Sequence, residues 1–312
     1  MSNSNSLFGG SKMMGVCYGP YHQAASVAKS AYTKADIDAD LKTTANYFDF
    51  IRTYTVQYNQ KYLPELCKKY KLGVALSCWI FPGDSTSTNA EIDTALEQAS
   101  AHPDYVKVIV IGNEVDLGSN GYNTTEVTNA FNYALKKKKD YANLADVPLT
   151  ICMTGSGPVT KDWKDLLSLM QTYAFLTIYP WYGQKDNKTN GVISKMSPGD
   201  IDGNMTYSYN NGMSQAENAG LEVVIAEIGW PSEGASDYGT TWANEVTNFD
   251  ATCKWINGTN SLNKSFITMW FEMFDEPWKI KEGKWGPHWG LYGSGTSPAL
   301  KSAKDVTFKT CS

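Results

Sequence analysis

Eight short apolar runs, separated by stretches of helical character, constrain this chain more than any other feature of its sequence. They span residues 14–18, 50–54, 73–79, 106–111, 149–153, 175–179, 222–227 and 266–271. Val106-Lys107-Val108-Ile109-Val110-Ile111 is typical: mostly β-branched and followed by a glycine, it reads as a strand buried on both faces. Between the runs, residues 34–47, 61–70, 89–101, 125–139, 161–173, 200–219 and 240–255 read as helices. Strict alternation implies a parallel sheet with right-handed crossovers, and eight repeats favour closure. The expected fold class is α/β, a single (β/α)8 TIM barrel over residues 13–312. Residues 1–12 are expected to be an N-terminal tail, disordered or foreign to the native chain. Residues 277–312, rich in glycine, are expected to form a long loop and a short closing helix on the eighth strand.

Composition agrees and excludes several function classes. With 312 residues, 42% hydrophobic and 19% charged, the chain can bury a large core and is unlike a disordered one. A net charge of -5 offers no basic face to nucleic acid. The one basic run, Lys136 to Lys139, lies late in a helical stretch, where lysines complement the helix dipole. No apolar stretch approaches the roughly 18 residues of a membrane span.

The N-terminal residues lack the charged start and apolar core of a secretory signal. Against that, Asn123, Asn187, Asn204, Asn257 and Asn263 each begin an Asn-x-Ser/Thr acceptor sequence, as a secreted surface would. A secreted or cell-wall location is therefore expected. Of six cysteines, Cys17, Cys78 and Cys152 lie in strand-like runs and should be buried thiols. Cys311 is expected to tie the C-terminal segment to Cys253 on the last long helix.

Two of the apolar runs end at glutamates. Gly112-Asn113-Glu114 closes the fourth and Glu227-Ile228-Gly229-Trp230-Pro231 the seventh. In a barrel of this type the C-terminal strand ends form the catalytic face. Two carboxyls sharing one cleft there suit glycosidic-bond chemistry, one neutral to protonate the leaving oxygen and one ionised to attack or to activate water. The alternatives are a surface turn for Glu114 and a structural ion pair for Glu227.

Arg52 is the only arginine in the chain and lies in Phe50-Ile51-Arg52-Thr53-Tyr54, the second run. It could hold a nucleophilic carboxylate in a bidentate fork, and a buried salt bridge without chemistry accounts for it equally well. Trp230 would offer an aromatic face beside Glu227, with Tyr179, Trp181 and Tyr182 facing the site after the sixth run. The segment from Trp270 to Lys279 gathers acids, a cation and aromatics suited to sugar hydroxyls and ring faces, with Trp270 and Phe271 themselves in the core. No triad of carboxylates on adjacent strand ends, no ligand-type histidine spacing and no phosphate loop is present, so neither a metal nor a cofactor is expected.

With these motifs assembled, the chain resembles glycoside hydrolase family 17, the β-1,3-glucan-active barrels, and most of all its fungal cell-wall branch. The carrying segments are Gly15-Val16-Cys17-Tyr18-Gly19-Pro20-Tyr21, Ile51-Arg52-Thr53-Tyr54, Ile111-Gly112-Asn113-Glu114, Thr177-Ile178-Tyr179-Pro180, Ala226-Glu227-Ile228-Gly229-Trp230-Pro231 and Phe271-Glu272-Met273-Phe274-Asp275-Glu276-Pro277-Trp278-Lys279. The resemblance implies a retaining double displacement on β-1,3-glucan and laminari-oligosaccharides. Glu114 would be the acid/base, Glu227 the nucleophile, Asn113 the partner of the 2-hydroxyl, and Tyr179 a neighbour of the nucleophile. Tyr18, Tyr54, Glu276 and Lys279 would line sugar subsites. Retention implies carboxyls about 5 to 5.5 Å apart.

Fungal members of this kind are often glucanosyltransferases, so transfer to a second glucan is expected. Tyr122 and Trp163 are candidates for an acceptor subsite, and ordinary packing explains them as well. A hydrolysing endo-β-1,3-glucanase and a non-catalytic glucan-binding barrel are the alternatives. A monomer without nucleic-acid or membrane partners is expected.

Overall fold

The computed structural model describes residues 14–23, 32–184, 197–304 and 306–311. The expected tail at residues 1–12 and the acceptor Asn187 lie outside the described residues. Eight strands are present: β1 (Met14–Cys17), β2 (Phe50–Arg52), β3 (Gly73–Cys78), β4 (Val106–Ile111), β5 (Leu149–Thr154), β6 (Tyr173–Thr177), β7 (Glu222–Ile228) and β8 (Ile267–Trp270). Each pairs parallel with the next, and β8 returns to β1, closing the barrel. The (β/α)8 architecture implied by the alternation is the one adopted.

The strands are apolar on both faces because each is covered twice, by the packed barrel interior and by the outer helices. Val108, Ile109, Val110 and Ile111 are all fully buried, as are Val224, Ile225 and Ala226 on β7. The helices are α1 (Lys34–Thr44), α2 (Leu63–Tyr70), α3 (Ser85–Ala101), α4 (Thr124–Lys138), α5 (Asp202–Ser208), α6 (Ser214–Asn218) and α7 (Trp242–Ile256). Asn123 caps α4 in a reciprocal box with Glu126, satisfying free N–H groups of the first turn. Lys136, Lys137 and Lys138 fill its last turn, at the negative end of the dipole.

Three expected helices differ. Over residues 161–173 only a 3-10 turn forms, Lys164–Ser168, because Tyr173 already begins β6 and Thr172 takes a left-handed turn at φ 61°. Residues 200–219 do not make one helix: a π segment, Tyr209–Met213, separates α5 from α6. It brings Gly212 so close to the loop after β5 that a Cβ there would lie 1.9 Å from the Gly155 carbonyl oxygen, which only glycine allows. After β8 the chain forms 3-10 turns, Pro277–Glu282 and Gly286–His288, in place of a closing helix.

Cys253 on α7 and Cys311 are joined by a disulfide, and the other four cysteines are free and buried. The late segment is also tied to the first strand's loop. His22 Nδ1 lies 2.8 Å from the Gly295 carbonyl, and its Nε2 lies 2.9 and 3.0 Å from the two Asp40 oxygens.

Candidate active site

The C-terminal end of β4 runs into a tight turn. Gly112 adopts φ 77°, and a Cβ there would meet Val115 Cγ1 at 2.6 Å, so the turn needs glycine. Glu114 itself lies in the left-handed region at φ 44°, a conformation unfavourable for a residue with a side chain. Several hydrogen bonds hold it there. Asn120 Nδ2 donates to the Glu114 carbonyl at 3.0 Å, the Leu117 N–H to the same oxygen at 2.9 Å, and the Val115 N–H to Cys152 at 3.1 Å. The strained turn leaves Glu114 half-buried, with its carboxyl in reach of Thr177 on β6.

Glu227 stands near the end of β7 and is buried, with both carboxyl oxygens occupied. Arg52 Nη1 donates to Oε1 at 2.5 Å and Tyr54 Oη to the same oxygen at 3.0 Å, while Tyr179 Oη donates to Oε2 at 2.5 Å. Donors from β2, the loop after it and the loop after β6 thus converge on one carboxylate and fix its orientation. Arg52 is fully buried, also donates to the Ala226 carbonyl and to Asn113 Oδ1, and lies 4.7 Å from the Tyr54 ring centroid. One guanidinium therefore positions Glu227 together with the amide that precedes Glu114.

The two glutamates share one face. Thr177 on β6 pairs in register with Glu227, and its hydroxyl donates to Glu114 Oε1 at 2.6 Å. Their environments are opposed. Burial, then the charge of Glu227, pushes the Glu114 pKa up from 4.5 to about 7, although Thr177 and Arg52 pull it down. One carboxyl is poised to hold a proton near neutrality while the other is ringed by donors.

Around this pair the expected residues divide. Asn113, Tyr54 and Tyr179 are half-buried at the site, and Tyr182 stays exposed with its ring 5.7 Å from that of Tyr179. Glu276 and Lys279 are buried together with Glu272. Lys279 Nζ lies 2.8 and 2.9 Å from the Glu272 oxygens and 2.9 Å from Glu276. Burial and repulsion from Glu276 raise the Glu272 pKa well above 4.5. Trp270 and Phe271 are in the core as expected.

Three aromatics expected to face sugar do not. Tyr18 is fully buried and donates 2.8 Å to Asp40, serving the β1 loop. Trp230 is fully buried, and its indole N–H donates 3.0 Å to the Gly239 carbonyl. Trp181 is also buried, within a cluster that includes Trp285 and Trp289. Their partners, Asp40 for Tyr18, Gly239 for Trp230 and the Trp285 and Trp289 rings for Trp181, come from other segments, and the sequence does not reveal those contacts.

Tyr122 is buried edge-on to Trp79 with its hydroxyl unpartnered among the described residues. Trp163 is half-buried on the loop after β5. Thr177 was missed as a site residue. Its position at the C-terminal end of β6, two residues before Tyr179, was the available signal. Among the described residues no group of three or more His, Cys, Asp or Glu could hold a metal, and no helix is long and apolar enough to cross a membrane.

A closed (β/α)8 barrel with one protonatable and one donor-bound glutamate at the ends of β4 and β7 defines a protein of the two-carboxylate barrel class. A family model described as the BtgE/BtgC glycoside hydrolase domain matches residues 15–290. The chain belongs to this glycoside hydrolase family, in accord with the resemblance its motifs carry.

Among curated relatives, the glucan endo-1,3-beta-glucosidase btgC of Emericella nidulans is 25% identical over 238 residues, covering 70% of this chain and 34% of the relative. A probable enzyme of the same description from Aspergillus clavatus is 22% identical over 88% of this chain and 40% of its own length. The chain thus spans well under half the length of these relatives.

Among solved structures, the glycoside hydrolase family 17 beta-1,3-glucanosyltransferase from Rhizomucor miehei superposes with a TM-score of 0.69 at 17% identity, covering 97% of this chain and 100% of that one. CJP38, a beta-1,3-glucanase and allergen of Cryptomeria japonica pollen, gives 0.67 at 16% identity over 93% of this chain and 98% of that one.

Proposed function

We propose that this barrel, taken as one catalytic domain over residues 13–312, is a retaining β-1,3-glucan-active enzyme whose main reaction is glucanosyl transfer. The observation that carries the reading is the unequal pair: Glu227 ringed by Arg52, Tyr54 and Tyr179, and Glu114 with its pKa raised to about 7 by burial and by Glu227.

In the first half-reaction Glu114 gives its proton to the glycosidic oxygen as the bond to the anomeric carbon breaks, and the Glu227 carboxylate bonds to that carbon. In the second, Glu114, now ionised, takes a proton from an incoming hydroxyl, whose oxygen displaces Glu227. Asn113, held by Arg52, is placed to meet the 2-hydroxyl, where hydrogen bonding strengthens in the transition state. Tyr54 and Tyr179 keep the nucleophile oriented and lie where the sugar would bind. Glu276 and Lys279 act from beneath the subsites, as a buried ionic platform with Glu272.

The substrate assignment is supported by the relatives, whose names describe action on 1,3-β-glucan, and by a solved neighbour described in complex with laminaritriose. Transfer in preference to hydrolysis is supported by the glucanosyltransferase neighbours, with Trp163 and the Trp79–Tyr122 pair as candidates for holding an acceptor sugar against about 55 M water. The endo-glucosidase names favour hydrolysis as the second reading. We also place the protein outside the cell or in its wall, as a monomer; Asn257 and Asn263, two of its acceptor asparagines, are exposed.

Incubation with laminaritetraose to laminarihexaose tests this. Products longer than the substrate are expected, with the β-anomer formed first by NMR. Only shorter products would leave hydrolysis, and first-formed α-anomer would remove retention. Glu227→Gln should abolish turnover while leaving oligosaccharide binding measurable.

A further inference from the structure

Thr177 occupies a position that the pairing of β6 fixes from both sides. Its carbonyl accepts from the Gly155 N–H at 2.9 Å, and the next residue's N–H donates to the Glu227 carbonyl at 2.9 Å. The ladder shifts register between Leu176 and Thr177, which sets Thr177 opposite Glu227. The side chain is buried and β-branched, so its χ1 has little freedom. From this fixed point the hydroxyl reaches Glu114 Oε1 at 2.6 Å. No other side-chain donor to the Glu114 carboxyl is seen among the described residues.

We infer that Thr177 is the positioning residue that keeps the transferable proton on Glu114 Oε2 and holds that oxygen toward the scissile bond. The inference rests on the acid/base reading of Glu114. A proton on Oε1 would be bonded to the Thr177 hydroxyl and so withheld from the glycosidic oxygen. With Oε1 occupied by a donor, the protonated acid carries its hydrogen on Oε2. In the first half-reaction that Oε2–H bond breaks, its proton passes to the glycosidic oxygen, and the electron pair stays on the carboxylate. In the second, Oε2 accepts the proton of the incoming hydroxyl. Oε1 keeps its bond to Thr177 throughout, so the carboxyl need not rotate between the two roles. The same bond favours the ionised form and opposes the burial that raises the Glu114 pKa.

The test compares Thr177→Val, which keeps the shape and removes the donor, with Thr177→Ser, which restores it. kcat/KM is measured against pH on laminaripentaose and on a dinitrophenyl β-laminaribioside, whose departing phenolate needs no protonation. For Thr177→Val we expect a loss of about 10- to 100-fold on the oligosaccharide and under about 3-fold on the aryl substrate. Its alkaline limb should move up by about one pH unit, and Thr177→Ser should bring back both properties. Equal losses on the two substrates with an unmoved limb would reduce Thr177 to a packing role and overturn the inference.

Should Thr177→Val not fold, Thr177→Ala gives the same readouts. Glu114→Ala, run alongside, separates this outcome from failure of the underlying reading. If it loses activity equally on both substrates, Glu114 is not the acid and both fall; if it spares the aryl substrate, only the role of Thr177 is at stake.

Discussion

Arg52 on β2 and Glu227 on β7 meet above the barrel core, Nη1 lying 2.5 Å from Oε1 with the guanidinium wholly removed from solvent. A buried pair of this kind is held by its geometry, because each charge left alone would be costly. Its second reach, to Asn113, ties the ends of β4 and β7 together through one side chain. Arg52→Lys retains a charge but cannot fork, so kcat should fall by about 10²-fold with the protein still folded. Arg52→Met should in addition lower unfolding stability by about 3 to 5 kcal/mol in urea titration. A lysine variant with wild-type kcat would show the fork to be dispensable.

The pH dependence follows from Glu114. Under the proposed double displacement it is protonated in free enzyme for the first half-reaction, and its pKa is raised to about 7 by burial and by Glu227. On the alkaline side, kcat/KM on glucan should therefore decline tenfold per unit above that point. An alkaline limb falling near the usual carboxylate value of 4.5 would contradict the buried environment described for this group.

His22 supplies a stability counterpart. Both its ring nitrogens face acceptors, Asp40 and the Gly295 carbonyl, which suits the doubly protonated ring. Burial opposes that charge, but Asp40 and Gly295 outweigh it, and Glu276 adds to them, so its pKa rises above 6.5. Its other neighbours are the Phe274 ring at 4.8 Å and, through Asp40, Tyr18. A raised cationic pKa gives stability that is complete below 6.5 and lost as pH climbs through the folded value. The melting temperature of wild type should decline over that window, and His22→Gln should flatten the decline.

The Cys253–Cys311 bridge closes a loop over a sequence separation of 58. Loop-closure entropy puts its contribution at about 4 kcal/mol. Cys253→Ser should lower the denaturant midpoint accordingly and leave kcat intact, since neither cysteine takes part in the hydrogen bonds of Glu114 or Glu227. Unchanged stability under reducing conditions would mean that packing of the late segment already does the bridge's work.

Much of this was legible in the sequence, for physical reasons. Buried parallel strands need both faces apolar, so Val106 to Ile111 and Val223 to Ala226 announce themselves, and a glutamate directly after such a run has to stand at the mouth of the barrel. Arg52 was legible as the one arginine at a strand end, though not its reach to Asn113, which depends on how far around the barrel β2 and β4 lie.

Aromatics were read less well. Tyr18, Trp181 and Trp230 look like sugar platforms because each follows a strand into the loops at the barrel mouth, yet all three are buried. Thr177 escaped because a hydroxyl carries no chemical signal until a carboxyl is found 2.6 Å away. The failed helix at 161–173 and the π segment at 209–213 are tertiary effects, set by where β6 begins and by the approach of Gly212 to Gly155.

The left-handed backbone at Glu114 sets robustness against reactivity at a single residue. Asparagine or glycine accepts that conformation far more readily than glutamate, by about 1 to 2 kcal/mol for glycine. A variant carrying either should melt at a higher temperature than the parent while having surrendered the carboxyl proposed as its proton donor. Selection for heat tolerance alone would thus tend to disarm the molecule at this position, and a hardened version has to draw its gains from elsewhere in the barrel.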